Sequence, residues 1–266
     1  MRKSRIKAKL RRDEPVLITT LHLTDPSFFE LTSLMGFDGI WMDMEHHSYS
    51  LETAAGLMRA ARVGVSDIVA RPAKGEFMRM QRMLEAGAQG IMYPRCDDAK
   101  EAAEVVSWAK FAPLGKRGAD GGNPDMPYLS MSITDYIREA NEETFLVIQI
   151  EQPQTLEHIE AIADVEGVDV LMVGPGDLSI QLGIPGQMDH KLLHQAKERV
   201  AKAAQKSGKH WGCTSGTLEQ AKELMDMGAR WICYHGDIVM IKNTLEEIQR
   251  DFEPLGITFD NQVRPH

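Results

Sequence analysis

The chain has 266 residues, enough for one large core, and its 43% hydrophobic and 26% charged content is ordinary for a globular protein in water. A formal net charge of -9 argues against nucleic acid or an anionic membrane as the main partner. No apolar run approaches the ~18 residues of a membrane span, and Cys96, Cys213 and Cys233 form no CxxC pair, which fits a reducing cytoplasm with the thiols as small core residues.

The basic start (Arg2, Lys3, Arg5, Lys7, Lys9, Arg11, Arg12) lacks the apolar stretch of a signal peptide and predicts an N-terminal surface helix. Val16 to Leu21 is a β-rich run. Asp25 then reads as a helix cap with Pro26 at the first helical position, and that helix stops at Gly36. A second strand runs from Asp38 to Met44, followed by a helix from Ser50 to Gly64. Asp67 to Pro72 is a third strand and Glu76 to Ala86 its helix; Gly90 to Pro94 and Ala99 to Lys110 repeat the pair. The stretch from Pro113 to Ser130 has no period of its own, and a loop this long in a compact fold is usually functional or mobile. A short helix, Ile133 to Asn141, precedes a fifth strand from Thr144 to Glu151. The remaining units are a helix from Thr155 to Asp164, a strand from Asp169 to Val173, a helix from His190 to Ser207, a strand from His210 to Thr214, a helix from Leu218 to Met227, a strand from Trp231 to Tyr234 and a helix from Ile238 to Phe252.

Four helix-to-strand junctions share one grammar: a glycine (Gly36, Gly87, Gly167, Gly228) ends the helix, and an apolar strand follows within a few residues. Short joins between alternating helices and mostly apolar strands imply a parallel sheet with helices outside. Eight such units predict a (β/α)8 barrel as a single domain over residues 1–266, with a doubly wound open sheet as the alternative.

In a parallel barrel, chemistry sits at the C-terminal ends of the strands. The second strand delivers Asp43, Glu45 and His46 there, the third Arg71, the fifth Gln149 and Glu151, the sixth Gly174 to Asp177, and the eighth His235 and Asp237. Glu151 and Asp177, from adjacent units, can face one cation; two carboxylates with waters and substrate oxygens suit Mg2+ or Mn2+, and no His/Cys zinc set is visible. The purely structural alternative pairs Glu151 with an arginine and makes Asp177 a helix cap. Backbone amides after Gly174 can grip a substrate carboxylate. His46 is a candidate general base, and its neighbour His47 is expected to be the more exposed of the two. Arg71 needs an anionic partner, either an enolate or carboxylate oxygen or simply Asp43 or Glu45. No strand places a lysine near its C-terminal end, since Lys74 lies beyond Pro72 and Lys209 at the wrong end of its strand, which disfavours Schiff-base chemistry and favours a metal-stabilised enolate.

The run from Phe37 to His46, Arg71-Pro72, Leu84 to Gly90, Gly115 to Gly118, Gln149 to Glu151 and Gly174 to Leu178 occur in order, and together they resemble the HpcH/HpaI aldolases, metal-dependent enzymes acting on 2-oxo acids. The resemblance covers nearly the whole chain after about residue 15. It implies a (β/α)8 barrel whose last helix packs on a neighbouring subunit, commonly in a hexamer. It implies a divalent metal held by Glu151 and Asp177, His46 as base, Arg71 stabilising the enolate, and Gln149 with the backbone of Gly176 and Asp177 holding the pyruvate portion. Glu85 falls where the family carries an acid that raises the basicity of the histidine, though that acid is often Asp. Asp43 and Glu45 are expected to orient the histidine or the metal's waters. The reaction implied is retro-aldol cleavage of a 4-hydroxy-2-oxo acid to pyruvate and an aldehyde. The alternatives are a related lyase or decarboxylase acting on another 2-oxo acid, and a non-catalytic metabolite-binding barrel. The chain departs from the family at Gly176, usually alanine, at His47, usually small, and in Ala119 to Pro127, a segment expected to shape the aldehyde side of the pocket.

Overall fold

The computed structural model describes residues 1–263. After a short helix α1 (Arg5–Leu10), the chain alternates β1 (Val16–Leu21), α2 (Pro26–Leu34), β2 (Gly39–Asp43), α3 (Leu51–Ala61), β3 (Asp67–Arg71), α4 (Phe77–Ala86), β4 (Gly90–Tyr93) and α5 (Ala99–Ala109). It continues through α6 (Ile133–Glu143), β5 (Phe145–Ile150), α7 (Pro153–Glu157), α8 (Ile159–Ala163), β6 (Val170–Val173), α9 (Pro175–Gln181), α10 (Lys191–Lys206), β7 (His210–Ser215), α11 (Leu218–Asp226), β8 (Trp231–Gly236) and α12 (Asp237–Phe252). The eight strands are parallel and close into a barrel, with β8 pairing back onto β1. The open-sheet alternative is thereby excluded.

The local chemistry explains the elements. Asp25, Ser50, Asp98, Ser132 and Thr217 each cap a helix by accepting a backbone N–H. The four junction glycines all sit at positive φ (86°, 126°, 92° and 88°), where a side chain would be strained. β2, β3 and β5 are buried along their whole length, as expected for strands covered on both faces. One apolar cluster fills the space between barrel and helices; a second fills the barrel itself, with Trp41, Val69, Val147, Met172 and Trp231 among its members.

Two expectations change. The basic N-terminal segment is not a surface helix: Ile6 and Leu10 belong to the barrel's interior cluster, so α1 plugs its N-terminal end. Its cations meet acids at that end, Lys7 with Asp169 at 2.6 Å and Lys9 with Asp38 at 2.7 Å. The helix expected from Thr155 to Asp164 is broken at His158 into α7 and α8.

Candidate active site

Side chains alternate along a strand, so the barrel's interior residues fix which neighbours face the mouth. Trp41 points inward, hence Asp43 does; Val69 brings Arg71, Val147 brings Gln149 and Glu151, and Met172 brings Gly174. The register places Asp43 directly opposite Arg71 on the last rung between β2 and β3.

Arg71 is the hub. Its Nε and Nη2 donate to Asp43 Oδ1 and Oδ2 at 2.9 and 2.7 Å, a two-bond fork. Its Nη1 donates to Gln149 Oε1 at 3.3 Å and faces Glu45 at 3.3 Å and Glu151 at 3.9 Å. The guanidinium also lies over the Trp41 ring, 4.6 Å from its centroid. Burial works to raise the Asp43 carboxyl, but the Arg71 fork and charge outweigh it and hold it below the usual range.

Glu151 is in the opposite situation. Burial, with Glu45 and Asp177 nearby, pushes its carboxyl up to about 7 in spite of Arg71. Its Oε2 is buried with no hydrogen-bond partner. Gly174 leaves the room it occupies, since a Cβ there would stand 2.6 Å from Glu151 Cγ and Oε1. A buried, unpartnered carboxylate oxygen repelled by two neighbouring acids fits a divalent cation, which would remove both penalties. Asp177 lies in the first turn of α9, whose N-cap is Gly174 with no side-chain cap bond, so the helix-cap alternative for Asp177 does not hold.

The two histidines are not arranged as expected. His46 is the more exposed, 49% of its side chain against 36% for His47, and its Nε2 is 3.7 Å from Glu45. His47 turns inward, its Nδ1 3.3 Å from Asp43 Oδ2. The ring of His22, just past β1, stacks on that of His47 with centroids 4.1 Å apart. His22 in turn is fixed by Asp237, the first residue of α12, which accepts from its backbone N–H at 2.7 Å and faces its Nδ1 at 3.0 Å.

Glu85 is not part of this constellation within the chain. It lies in the last turn of α4, which runs from the mouth back to the N-terminal ends of the strands, and it accepts from Gln81 there. The loop from Pro113 to Ser130 is at the same far end: Pro124 accepts from Arg62, Gly118 meets Gln81, and a buried Arg117–Asp125 pair at 2.8 Å anchors it. It therefore does not shape the aldehyde side of this chain's own mouth. Lys110, whose ammonium burial pulls down to about 8, is also at that end, donating to the carbonyls of Asn141 and Thr144. Lys74, in the loop after β3, donates to the Arg95 carbonyl and pairs with Asp97, both at 2.7 Å.

Sequence reasoning missed Arg95 and His22. Arg95 follows β4 at φ 50°, with Nε 3.4 Å from Glu45 and Nη2 3.9 Å from Asp177. The signal was present, because Arg95 follows Pro94 just past the C-terminal end of β4, the same end of the barrel at which Arg71 closes β3. His22 occupies the equivalent exit of β1.

The chain is similar to known proteins in both sequence and fold. A family model described as HpcH/HpaI aldolase/citrate lyase matches residues 20–235. A hydroxypyruvate/pyruvate aldolase of Delftia acidovorans is 32% identical over 236 residues, covering 89% of this chain and 87% of the relative. A 4-hydroxy-2-oxo-heptane-1,7-dioate aldolase of Escherichia coli is 28% identical over 92% of this chain and 94% of its own length. The crystal structure of an HpcH/HpaI aldolase from Desulfitobacterium hafniense superposes with a TM-score of 0.88 at 28% identity, covering 96% of this chain and 98% of that one.

Proposed function

The chain belongs to the HpcH/HpaI aldolase/citrate lyase family, and from that premise we propose that it is a carbon–carbon lyase, a divalent-metal-dependent aldolase that cleaves a 4-hydroxy-2-oxo acid into pyruvate and an aldehyde. The observation that carries the reading is the buried Glu151 carboxylate, whose Oε2 has no partner and whose Oε1 lies 3.9 Å from the guanidinium that Asp43 orients, with Asp177 near enough to raise its pKa. Glu151 and Asp177 would hold the ion, Mg2+ or Mn2+ by their all-oxygen chemistry. A bound divalent cation supplies Lewis-acid polarisation of the 2-oxo group.

The chain's own residues do the rest. Gln149 gives its Oε1 to Arg71, which leaves its amide N–H groups to donate to the substrate carboxylate, together with the backbone N–H groups of Gly176 and Asp177. His46 takes the proton of the 4-hydroxyl; the C3–C4 bond breaks, the aldehyde forms, and the electron pair moves to the 2-oxo oxygen as pyruvate enolate. Arg71 Nη1 meets that developing negative charge. Protonation at C3 by the histidinium completes pyruvate. Asp43 and Glu45 position Arg71 and His46; Glu85 has no part in these steps within one chain.

A homo-oligomer, hexameric by family resemblance, is part of the same proposal. Ile238, Ile241, Leu245, Ile248 and Phe252 recur at three- and four-residue spacing on α12 and are all more than a third exposed. The barrel wall beside it also exposes Leu31, Leu34 and Met35 near α2 and Leu218 and Met225 on α11. No helix of the described residues is long and apolar enough to cross a membrane, and the three buried free cysteines support a cytoplasmic setting.

The test is pyruvate release from 4-hydroxy-2-oxo acids with Mg2+ or Mn2+, together with exchange of pyruvate methyl protons in D2O. Both are expected to require metal and to disappear with EDTA or in Glu151→Ala. Activity that survives chelation and the substitution together would overturn the metal mechanism. A series of substrates differing in chain length and terminal charge then identifies the aldehyde.

A further inference from the structure

On the side of the mouth formed by β1, β2 and β8, a second constellation stands apart from Glu151 and Asp177. His22, Asp43 and His47 each bring one donor atom within 4.8 Å of the others. We propose that these three residues form a second cation site, built for a borderline transition ion such as Zn2+, Co2+ or Cu2+.

The spacing of the closest donor pair suits one shared ion. Asp43 Oδ2 and His47 Nδ1 are 3.3 Å apart. Two donors that each bind one ion at about 2.0–2.2 Å, at a roughly tetrahedral angle, are separated by about that distance. The His22 ring is the third donor; its in-plane lone pair runs beside that of the stacked His47 ring, so binding requires a ring rotation that brings the two onto one ion. The His22 ring stacks on His47 with an interplanar angle of 23°, and its Nδ1 is 3.0 Å from the fully buried Asp237 carboxylate. A carboxylate behind one ring nitrogen keeps the proton on it and leaves the other nitrogen's lone pair free, the arrangement that supports most metal-bound imidazoles. Asp237 also accepts the backbone N–H groups of His22 and Leu23, each at 2.7 Å, so the imidazole is held on a fixed piece of backbone.

The site is reachable. The His22 and His47 side chains are 24% and 36% exposed. His22 and Asp43 line a cavity of about 580 Å3 that runs from Arg71 toward β7 and β8.

The donor set separates the two sites chemically. Glu151 and Asp177 offer oxygen only, which suits Mg2+ or Mn2+. Two imidazoles and one carboxylate suit Zn2+, Co2+, Cu2+ or Ni2+ and disfavour Mg2+. Arg71 stands between them, with its fork on Asp43 and its Nη1 toward Glu151. This inference needs no aldolase activity; it rests on the donors alone.

The experiment uses the full chain stripped of metal by chelation and titrated with Co2+ or Cu2+. Wild type is expected to bind two ions per chain. Glu151→Gln/Asp177→Asn, or wild type with the oxygen site filled by excess Mg2+, should still bind one, and the electron paramagnetic resonance of Cu2+ there should show nitrogen couplings from two imidazoles. His22→Gln/His47→Gln should lose those couplings and weaken that ion by about 100-fold or more, while each single substitution removes one nitrogen. No second ion in wild type, or nitrogen couplings that persist in the double histidine variant, would overturn the proposal. Pyruvate methyl-proton exchange with Mg2+ in the His22→Gln/His47→Gln variant reads the aldolase site separately, so the loss of one reading is distinguishable from the loss of the other.

Discussion

Arg71 commits two of its nitrogens to Asp43, in bonds of 2.9 and 2.7 Å, and turns the third toward Glu45, Gln149 and Glu151. The fork fixes the plane of the guanidinium, so the direction in which Nη1 points is set by Asp43. Lysine carries the same charge but no fork. Arg71→Lys is expected to lower kcat for pyruvate release by about 10²–10³-fold with a smaller change in KM, the pattern of an interaction strengthened in the transition state. A variant with wild-type kcat would remove Arg71 from the chemistry.

Gly174 and Glu151 make a second, steric prediction. A methyl group at position 174 would overlap Glu151 Cγ and Oε1 at 2.6 Å. Gly174→Ala should keep the barrel and weaken Mn2+ at the oxygen site by about tenfold or more, one misplaced ligand being worth at least 1.4 kcal/mol. Glu151→Gln should abolish that binding, yet raise the melting temperature of the metal-free protein, because it removes a buried charge that Glu45 and Asp177 repel. Calorimetric titration and thermal melts read both. Unchanged Mn2+ affinity in Gly174→Ala would show that Glu151 does not need this cradle.

The barrel was legible because its signals are local. Glycine after a helix, an apolar run and a capping residue before the next helix recur around the chain, and the strand ends then follow from topology. Asp43, Arg71, Gln149, Glu151 and Asp177 could be placed at one mouth for that reason. The misses share a different cause. Glu85 and the loop from Pro113 to Ser130 carry chemistry-bearing residues in motifs, but a helix after a strand runs back down the barrel, which puts them at the opposite end. The inward turn of His47 depends on His22 and Asp237, distant in sequence, and no local pattern encodes that meeting. The burial of α1 is likewise long-range: its amphipathic chemistry reads as a surface helix until Asp67, Asp38 and Asp169 are placed around it.

That plug has a pH signature. Asp67 accepts from Ser4 Oγ at 2.6 Å and from the Ile6 N–H at 2.9 Å, but its Oδ1 is buried without a partner. Burial outweighs those bonds and pushes the carboxyl up to about 6. The unfolded chain titrates this group near ~3.9, so between about pH 4 and 6 the folded state holds the proton more tightly. Its contribution to stability is therefore fully present below the unfolded value and lost as pH rises through about 6. Asp67→Asn removes the titration. The stability of the variant relative to wild type should climb on the order of 2–3 kcal/mol across that window and stay level above it. Urea unfolding at pH 4, 5, 6 and 7 measures the difference. A flat or falling difference would mean the Asp67 carboxylate is better satisfied than its orphaned oxygen indicates.

The last helix makes the proposed assembly testable. Of α12 only Asp237 is buried, and its contacts with the rest of the chain are concentrated at β1 and β8 and at the turn that follows it. Among the described residues, Ile238, Ile241, Leu245, Ile248 and Phe252 therefore form an apolar stripe left more than a third exposed, while Leu31 and Leu34 of α2 and Leu218 and Met225 of α11 are exposed on the barrel wall. Two unpaired apolar faces on one molecule are best satisfied by a second copy that lays its helix on the first, and this contact can recur around a ring. Leu245→Glu/Ile248→Glu places two charges in that stripe without touching the mouth or the barrel core. The wild type is expected to sediment as a closed oligomer and the variant as smaller species with an unchanged far-ultraviolet circular dichroism spectrum. A wild type that remains monomeric at tens of micromolar, or a variant that keeps the wild-type mass, would refute α12 as the assembly element.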